Sequence, residues 1–376
     1  MAGNMKPLRR VVTGNDESGR SRVVWDGAAP NVHGGGNRGN GYTDLWVWNE
    51  SPAPLRGDND DGNLAYNFPG PPGGGHFRVV EHNGNRPQGH TLANAPEPQT
   101  AQAPKERPLG RAWDRGDRNA HTSHMHKTET VDYAILIEGQ RDLIMDDVGA
   151  VSWKPGDVII QVGAFHQWTS PPQQGALVAF DMIAARFVDG PAGLAQGRDA
   201  VVPADRMPKL PDGVKPSKRI VTIDREPAKG SVVSAAPSPD VRLDPARPGY
   251  ASTRMWVTDS TPAKIVLETL HLPHTLEPPA RGSVLRIITV PPDDGWKGKV
   301  GASEVEAFFR MMGSPGASTY TPRAPHPYMQ KTRTLDLCVV VEGEIVLLLD
   351  TQEVPLKAGE IVVQRGTNHA WCNRSN

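Results

Sequence analysis

Apolar residues in this chain come in short runs, mostly β-branched or large, and glycine, proline, asparagine or aspartate bounds each run. In DYAILIEGQRDLIMDD (132–147) turn residues close the apolar positions at both ends, which reads as strand. KPGDVIIQV (154–162) and KAGEIVVQR (357–365) each place a Pro/Gly-type turn before a short buried strand. Helical periodicity is weak throughout. The helix candidates are GASEVEAFFRMMG (301–313) and part of 189–200.

The same segments occur twice in the same order. RRVVTGNDESG (9–19) answers KRIVTIDREPAKG (218–230), LWVWNESPAPL (45–55) answers MWVTDSTPAKI (255–265), and HFRVVEHNGN (76–85) answers VLRIITVPPD (284–293). The strongest pair is MHKTETVDYAILIEG (125–139) against MQKTRTLDLCVVVEG (329–343), and KPGDVIIQVGAFHQW (154–168) against KAGEIVVQRGTNHAW (357–371) closes the series. Matches in one order at a nearly constant offset make the chain a tandem duplication. The join falls in the Pro/Gly-rich stretch 190–216. The predicted architecture is all-β, with two similar antiparallel units over 1–208 and 209–376, each a sandwich or barrel. The first unit also carries the polar insert NGNRPQGHTLANAPEPQTAQAPKERP (83–108), in a region reaching to about 118. It is too polar to build a core and is expected to wrap the surface or the barrel mouth as a loop.

Composition adds exclusions. Glycine (39) and proline (36) are abundant, and they sit between the apolar runs, as turns between strands would. There are 41 basic and 42 acidic residues, for a formal net charge of −1, and no basic stripe. That balance argues against nucleic acid or an anionic membrane as partner. The apolar runs are too short and too interrupted to span a bilayer, as Glu342 and Glu344 show in CVVVEGEIVLLL. MAGNMKPLRRVV has no apolar core of signal-peptide length, and the two cysteines, Cys338 and Cys372, make no disulfide framework. Both features lead us to expect a cytoplasmic protein.

The strongest repeat carries a further pattern. Gly139, Asp132, His126, Gly156 and His166 in copy 1 resemble the two motifs of the cupins. These are small antiparallel jelly-roll barrels whose motifs place metal ligands inside the barrel: His-x-His, an acidic residue and a glycine, then a glycine turn and a third histidine. In copy 2 the equivalents are Gly343, Asp336, Gln330, Gly359 and His369, with Asn373 at the closing position. Because the motifs occur twice, the resemblance is to a bicupin. The second histidine of the pair is replaced by Thr128 in copy 1 and Thr332 in copy 2. This His/Gln-x-Thr-x-Thr-x-Asp variant is similar to a branch of small cupins of mostly unassigned function, some encoded with natural-product pathways. Reaction type does not carry over with the fold.

Strand alternation gives an independent reading. His124, His126, Thr128 and Asp132 share parity and would face one way on a continuous strand, with His166 arriving from the hairpin after Gly156. Imidazoles with one carboxylate suit a single divalent Fe, Mn, Ni or Zn with open positions in the N-terminal barrel. The alternative is a polar interior, hydrogen-bonded within itself and to water, with no metal. In copy 2, Gln330, Asp336 and His369 read as a structural remnant or a polar binding pocket. Trp168 and Trp371 follow their histidines by two and either line the pocket with Thr128 or pack in the core. Tyr133 points away from the cluster by parity. Arg78 and Arg286 recur at equivalent places, where each would meet a substrate carboxylate or a structural ion-pair partner. His33, His76, His82 and His90 fall in Gly/Pro/Asn-rich loops and are expected in solvent.

Three functions remain open. The first is an enzyme acting on a small aromatic, enolic or carboxylated molecule, with His126, Asp132 and His166, and His124 as a further candidate ligand, holding a metal for oxygenase, lyase or isomerase chemistry. The second is a metal-free enzyme in which His126, His166 and Asp132 are general acid and base for dehydration or cyclisation. The third is a non-catalytic ligand-binding bicupin. The bicupin resemblance also implies a homodimer. Finally, GALVAFDMIAARFV (175–188) reads as the closing strand of copy 1, whereas copy 2 reaches WCNRSN without one. Unless the chain is truncated there, either the N-terminal RRVVTG strand or a partner subunit is expected to fill that place.

Overall fold

The computed structural model describes residues 5–34, 41–64, 68–82, 105–106, 110–115, 125–171, 174–187 and 208–375. The first half opens with β1 (Arg9–Asn15), β2 (Ser21–Ala28), β3 (Asn31–Gly34), β4 (Gly41–Trp48) and β5 (Gly75–His82). Short strands β6 (Lys105–Glu106), β7 (Ala112–Arg115) and β8 (Met125–Thr128) follow. It continues through β9 (Thr130–Gly139), β10 (Asp142–Met145), β11 (Gly149–Val151), β12 (Val158–Val162), β13 (Gln167–Thr169) and β14 (Ala176–Arg186). The second half contains β15 (Lys218–Glu226), β16 (Lys229–Pro237), β17 (Val241–Leu243), β18 (Ala251–Thr258), β19 (Ala263–Lys264) and β20 (Ser283–Thr289). After α1 (Ala302–Met311) come β21 (Leu335–Val339), β22 (Glu344–Leu349), β23 (Glu353–Lys357), β24 (Ile361–Arg365) and β25 (His369–Cys372). The chain is all-β, as its alternating runs predict, and the expected helix within 301–313 is α1. The other helix candidate, within 189–200, lies outside the described residues. No helix of the described residues is long and apolar enough to cross a membrane.

The large sheet of the first half runs β16-β15-β12-β9-β14-β5-β4-β3. Its inner face packs Ala134, Leu136, Ile159, Val178, Phe180, Met182 and Ile220 against Leu143, Met145, Trp153 and Trp168. The last four come from the segment that forms the small sheet β11-β10-β13. Burying each such side chain contributes about 1.5–3 kcal/mol, and the alternation that points these residues inward is what makes the segments strands. The opposite face joins the halves: Val131, Tyr133 and Ile160 pack with Met255 and Trp256. There the Tyr133 hydroxyl meets Ser283 Oγ at 2.7 Å, so Tyr133 does point away from the histidines.

The hydrogen bonding crosses the repeat. The hairpin β15–β16 belongs to the second half by sequence, yet β15 pairs in parallel with β12 of the first. Reciprocally, β1 of the hairpin β1–β2 pairs in parallel with β24 of the second half. Each half therefore lends its first hairpin to the sheet of the other.

One element is not repeated. In the first half β14 lies between β9 and β5, antiparallel to both. The equivalents of β9 and β5 are β21 and β20, and among the described residues no strand lies between them. The N-terminal RRVVTG strand does reach the second half. It takes the free side of β24, however, and not the position that corresponds to β14.

Candidate functional site

His126 and His166 come together as expected, through the backbone first. His126 N–H donates to His166 O and His166 N–H to His126 O, both at 2.9 Å. This bridge sets the two residues opposite one another, with ring centroids 4.4 Å apart and planes tilted by 51°. His166 is buried and His126 half-buried. The His166 Nδ1–H donates to Ala164 O at 2.8 Å. A carbonyl only accepts, so the neutral ring keeps its proton on Nδ1 and its lone pair on Nε2.

Asp224 of β15 holds this pair in position from behind. One of its oxygens accepts from the Lys127 ammonium at 2.8 Å and the other from Phe165 N–H at 2.8 Å. Lys127 follows His126 and Phe165 precedes His166, so one carboxylate grips both histidine-bearing segments. Lys127 is fully buried, its ammonium 4.9 Å from the Phe165 ring centre and 4.4 Å from that of Phe187. Burial lowers the Lys127 pKa and raises that of Asp224, and their mutual attraction opposes both shifts.

Asp132 lies on β9 with its side chain buried on the inner face. Burial pushes its carboxyl up to about 7, against the opposing pull of the Thr130 and Thr128 hydroxyls. Those hydroxyls bond each other at 2.6 Å, so Thr128, Thr130 and Asp132 do share a face although β8 and β9 are separate strands. Asp181, on the outer face of β14, is also raised to about 7, by burial first and by the charge of Asp132 second.

Aromatic rings line the same interior. The His166 ring meets Trp168 edge-on at 5.9 Å, and Trp168 meets Phe180 at 5.4 Å and Trp153 at 6.0 Å. Trp168 is thus a core residue that also touches the histidine pair. Arg78 is tied to Asp44 at 2.8 Å, and both are buried. Its counterpart Arg286 donates to the Leu276 carbonyl at 2.9 Å and to that of Thr275.

Sequence reasoning placed His76 in a solvated loop, and here the structure differs. His76 is on β5, fully buried on the inner face. The glycines before it serve close packing: a Cβ on Gly74 would lie 2.0 Å from Trp48 O, and one on Gly75 2.4 Å from Met182 O. His33 and His82 are also on strands, β3 and β5. His90 and His124 lie outside the described residues.

The second half repeats the pair with one change. Gln330 and His369 form the same backbone bridge, and His369 Nδ1–H donates to Thr367 O at 2.9 Å. Here the Gln330 side-chain amide meets His369 Nε2 at 3.2 Å and occupies its lone pair. Trp371 lies 6.1 Å from His369, edge-on. A surface cleft of about 220 Å³ in this half, lined by residues such as Lys264, Glu268 and His271, lies away from this pair.

A resident metal needs three or more donors in one place. Among the described residues no three His, Cys, Asp or Glu side chains are grouped so as to hold a metal ion. His126 and His166 supply two nitrogens, and no third such side chain is grouped with them among the described residues. The donor set described does not fit a metal centre.

No family model matches the chain. Short stretches resemble curated proteins. The chain is 53% identical over 49 residues to phomopsin biosynthesis cluster protein C' of Diaporthe leptostromiformis, covering 13% of this chain and 26% of that one. It is 48% identical over 50 residues to oryzines biosynthesis cluster protein J of Aspergillus oryzae, covering 13% and 28%. It is 38% identical over 55 residues to the cupin-domain-containing oxidoreductase virC of Hypocrea virens, covering 15% and 28%. The matches thus span little more than a quarter of each relative. A crystal structure of GK1651 from Geobacillus kaustophilus aligns over 92% of this chain and 95% of its own, at 10% identity and a TM-score of 0.33. The short virC match and the sheet-rich fold both fit the cupin resemblance.

Proposed function

We propose that this protein is a bicupin enzyme of secondary metabolism that acts on a small organic molecule inside its first half. The observation that carries this reading is the His126–His166 pair, two imidazoles set opposite one another with ring centroids 4.4 Å apart by a reciprocal backbone bridge. His166, with its proton held on Nδ1 by Ala164 O, presents Nε2 as a base. Asp132, raised to about 7, still carries its proton in much of the population at neutral pH and is the acid. A base that removes a proton from carbon and an acid that protonates a departing hydroxyl together carry out a dehydration. The same two groups serve a cyclisation in which the aromatic walls set the substrate's shape. The short matches to biosynthesis-cluster proteins support the place in secondary metabolism.

The test is turnover of the small molecule that accumulates in cells lacking the gene, using protein purified without a metal-affinity tag. Metal-depleted protein is expected to retain activity, and His166→Ala to lose it. Activity that vanishes on chelation and returns with one divalent ion per chain would replace this reading with a metal-assisted one.

A further inference from the structure

One row of residues crosses the inner face of the large sheet of the first half. Thr222 on β15 lies opposite Gln161 on β12, Gln161 opposite Asp132 on β9, Asp132 opposite Met182 on β14, and Met182 opposite His76 on β5. Directly opposed residues share a face. The four polar members are 0%, 1%, 3% and 1% exposed for Thr222, Gln161, Asp132 and His76. Even so, Thr222 Oγ1, both side-chain polar atoms of Gln161, Asp132 Oδ1 and both ring nitrogens of His76 have no hydrogen-bond partner among the described residues. Buried polar groups are normally satisfied, and four unsatisfied ones in a single row are far outside that norm.

The second half shows what the same row looks like when it is closed. There Thr13, the counterpart of Thr222, bonds Thr367 Oγ1 at 2.9 Å, and Thr367 donates to Gln364 at 3.2 Å. Gln364 is the counterpart of Gln161 and lies opposite Asp336. In the first half, Ala164 stands where Thr367 would close the chain, and His76 stands where the second half has Val284. Two changes between the copies thus open a row that is otherwise self-satisfied.

We infer that His76, Asp132, Gln161 and Thr222 form a ligand-binding row for an uncharged polar group, such as an amide, an enol or a hydroxy-ketone, carried on an aromatic body. This deepens the proposed function and rests on the same interior. Gln161, His76 and Thr222 each donate and accept, which suits a neutral group with both kinds of atom. No cation belongs to the row: Arg78 on β5 is bonded to Asp44, and the buried Arg141, 5.5 Å from the Trp168 ring, lies beyond the C-terminal end of β9, whereas Asp132 is near its start. A buried carboxylate would therefore be without a counter-charge. The rings of Trp168 and Phe180 lie on the same inner face and suit the aromatic body.

Three probes that differ only in charge test the assignment on the full chain: benzamide, benzoate and benzylamine at millimolar concentration. The readout is the imidazole NMR signal of His76, identified by its loss in His76→Val. Benzamide is expected to shift that signal at least tenfold more tightly than benzoate or benzylamine. Thr222→Val, which keeps the shape and removes one hydroxyl, is expected to weaken benzamide several-fold while leaving the melting temperature equal or higher. Equal or tighter binding of either charged probe overturns the inference, and so does failure of all three to move His76. In His126→Ala benzamide is still expected to bind, which separates failure of this row from failure of the acid–base reading.

Discussion

In the second half the Gln330 amide meets His369 Nε2 at 3.2 Å, whereas in the first half the ring of His126 faces that of His166 across the same backbone bridge. Both histidines hold their Nδ1 proton on a carbonyl two residues earlier, so the scaffold that orients the imidazole is shared. What differs is the group set opposite the imidazole: the Gln330 amide in the second half, the His126 ring in the first. The polar rows differ in the same sense: Thr367 closes one, and Ala164 leaves the other open. A folded protein tolerates an orphaned buried polar group at a cost of about 1–3 kcal/mol, and such costs are concentrated at sites that bind or react. Along this row the first half bears them, at His76, Asp132, Gln161 and Thr222, whereas Thr13, Thr367 and Gln364 of the second bond one another.

Separating the halves would challenge this comparison most severely. Chains 1–208 and 209–376 expressed alone are expected to be insoluble, because each sheet lacks its borrowed hairpin, and co-expression is expected to restore soluble protein. A soluble, cooperative melt from either piece alone would show that the exchange is dispensable. Next in size, His166→Ala or His126→Gln should reduce turnover by roughly 10²–10⁴, whereas Gln330→Ala and His369→Ala should leave it within about twofold. Comparable losses from both sets would mean that both halves react.

Asp224→Ala removes the carboxylate that grips Lys127 and Phe165. Leaving Lys127 buried and unpaired should cost about 3–5 kcal/mol, read as a lower denaturation midpoint. The corresponding residue of the first hairpin is Asn15, and Asn15→Ala is expected to have little effect.

Turnover should fall about tenfold per pH unit above about 7, as Asp132 loses its proton. Stability should follow the same sign. A carboxyl whose pKa is higher in the fold than in the unfolded chain contributes fully below about 3.8, and that contribution is lost as pH rises through about 7. The difference in melting temperature between the protein and Asp132→Asn should shrink or invert over that window. Gln330→Ala has the smallest expected effect, a loss of about 1 kcal/mol or roughly 2–4 °C.

Much of this was legible in the sequence. The apolar runs and turns marked the strands, and the motif positions brought His126 to His166. Parity correctly turned Tyr133 outward and Asp132 inward. The exchange of hairpins was not legible, because repeats of like sequence offer like edges and nothing local says which sheet a hairpin will join. His76 was hidden by the glycines before it. GPPGGG reads as a loop, yet Gly74 and Gly75 are there so that Trp48 and the Met182 backbone can approach. The open row also needed the structure, since Thr222 and Gln161 become neighbours only across the exchanged strand.

That exchange bears on how such a gene can change over generations. Duplication ordinarily leaves one copy free to decay and be lost. Here a substitution at Gln330 or His369 leaves the first half's contacts in place, but deletion of the second half's first strand would strip the first half of Thr222 and of Asp224 behind the histidines. Selection on one pocket is therefore enough to preserve both copies.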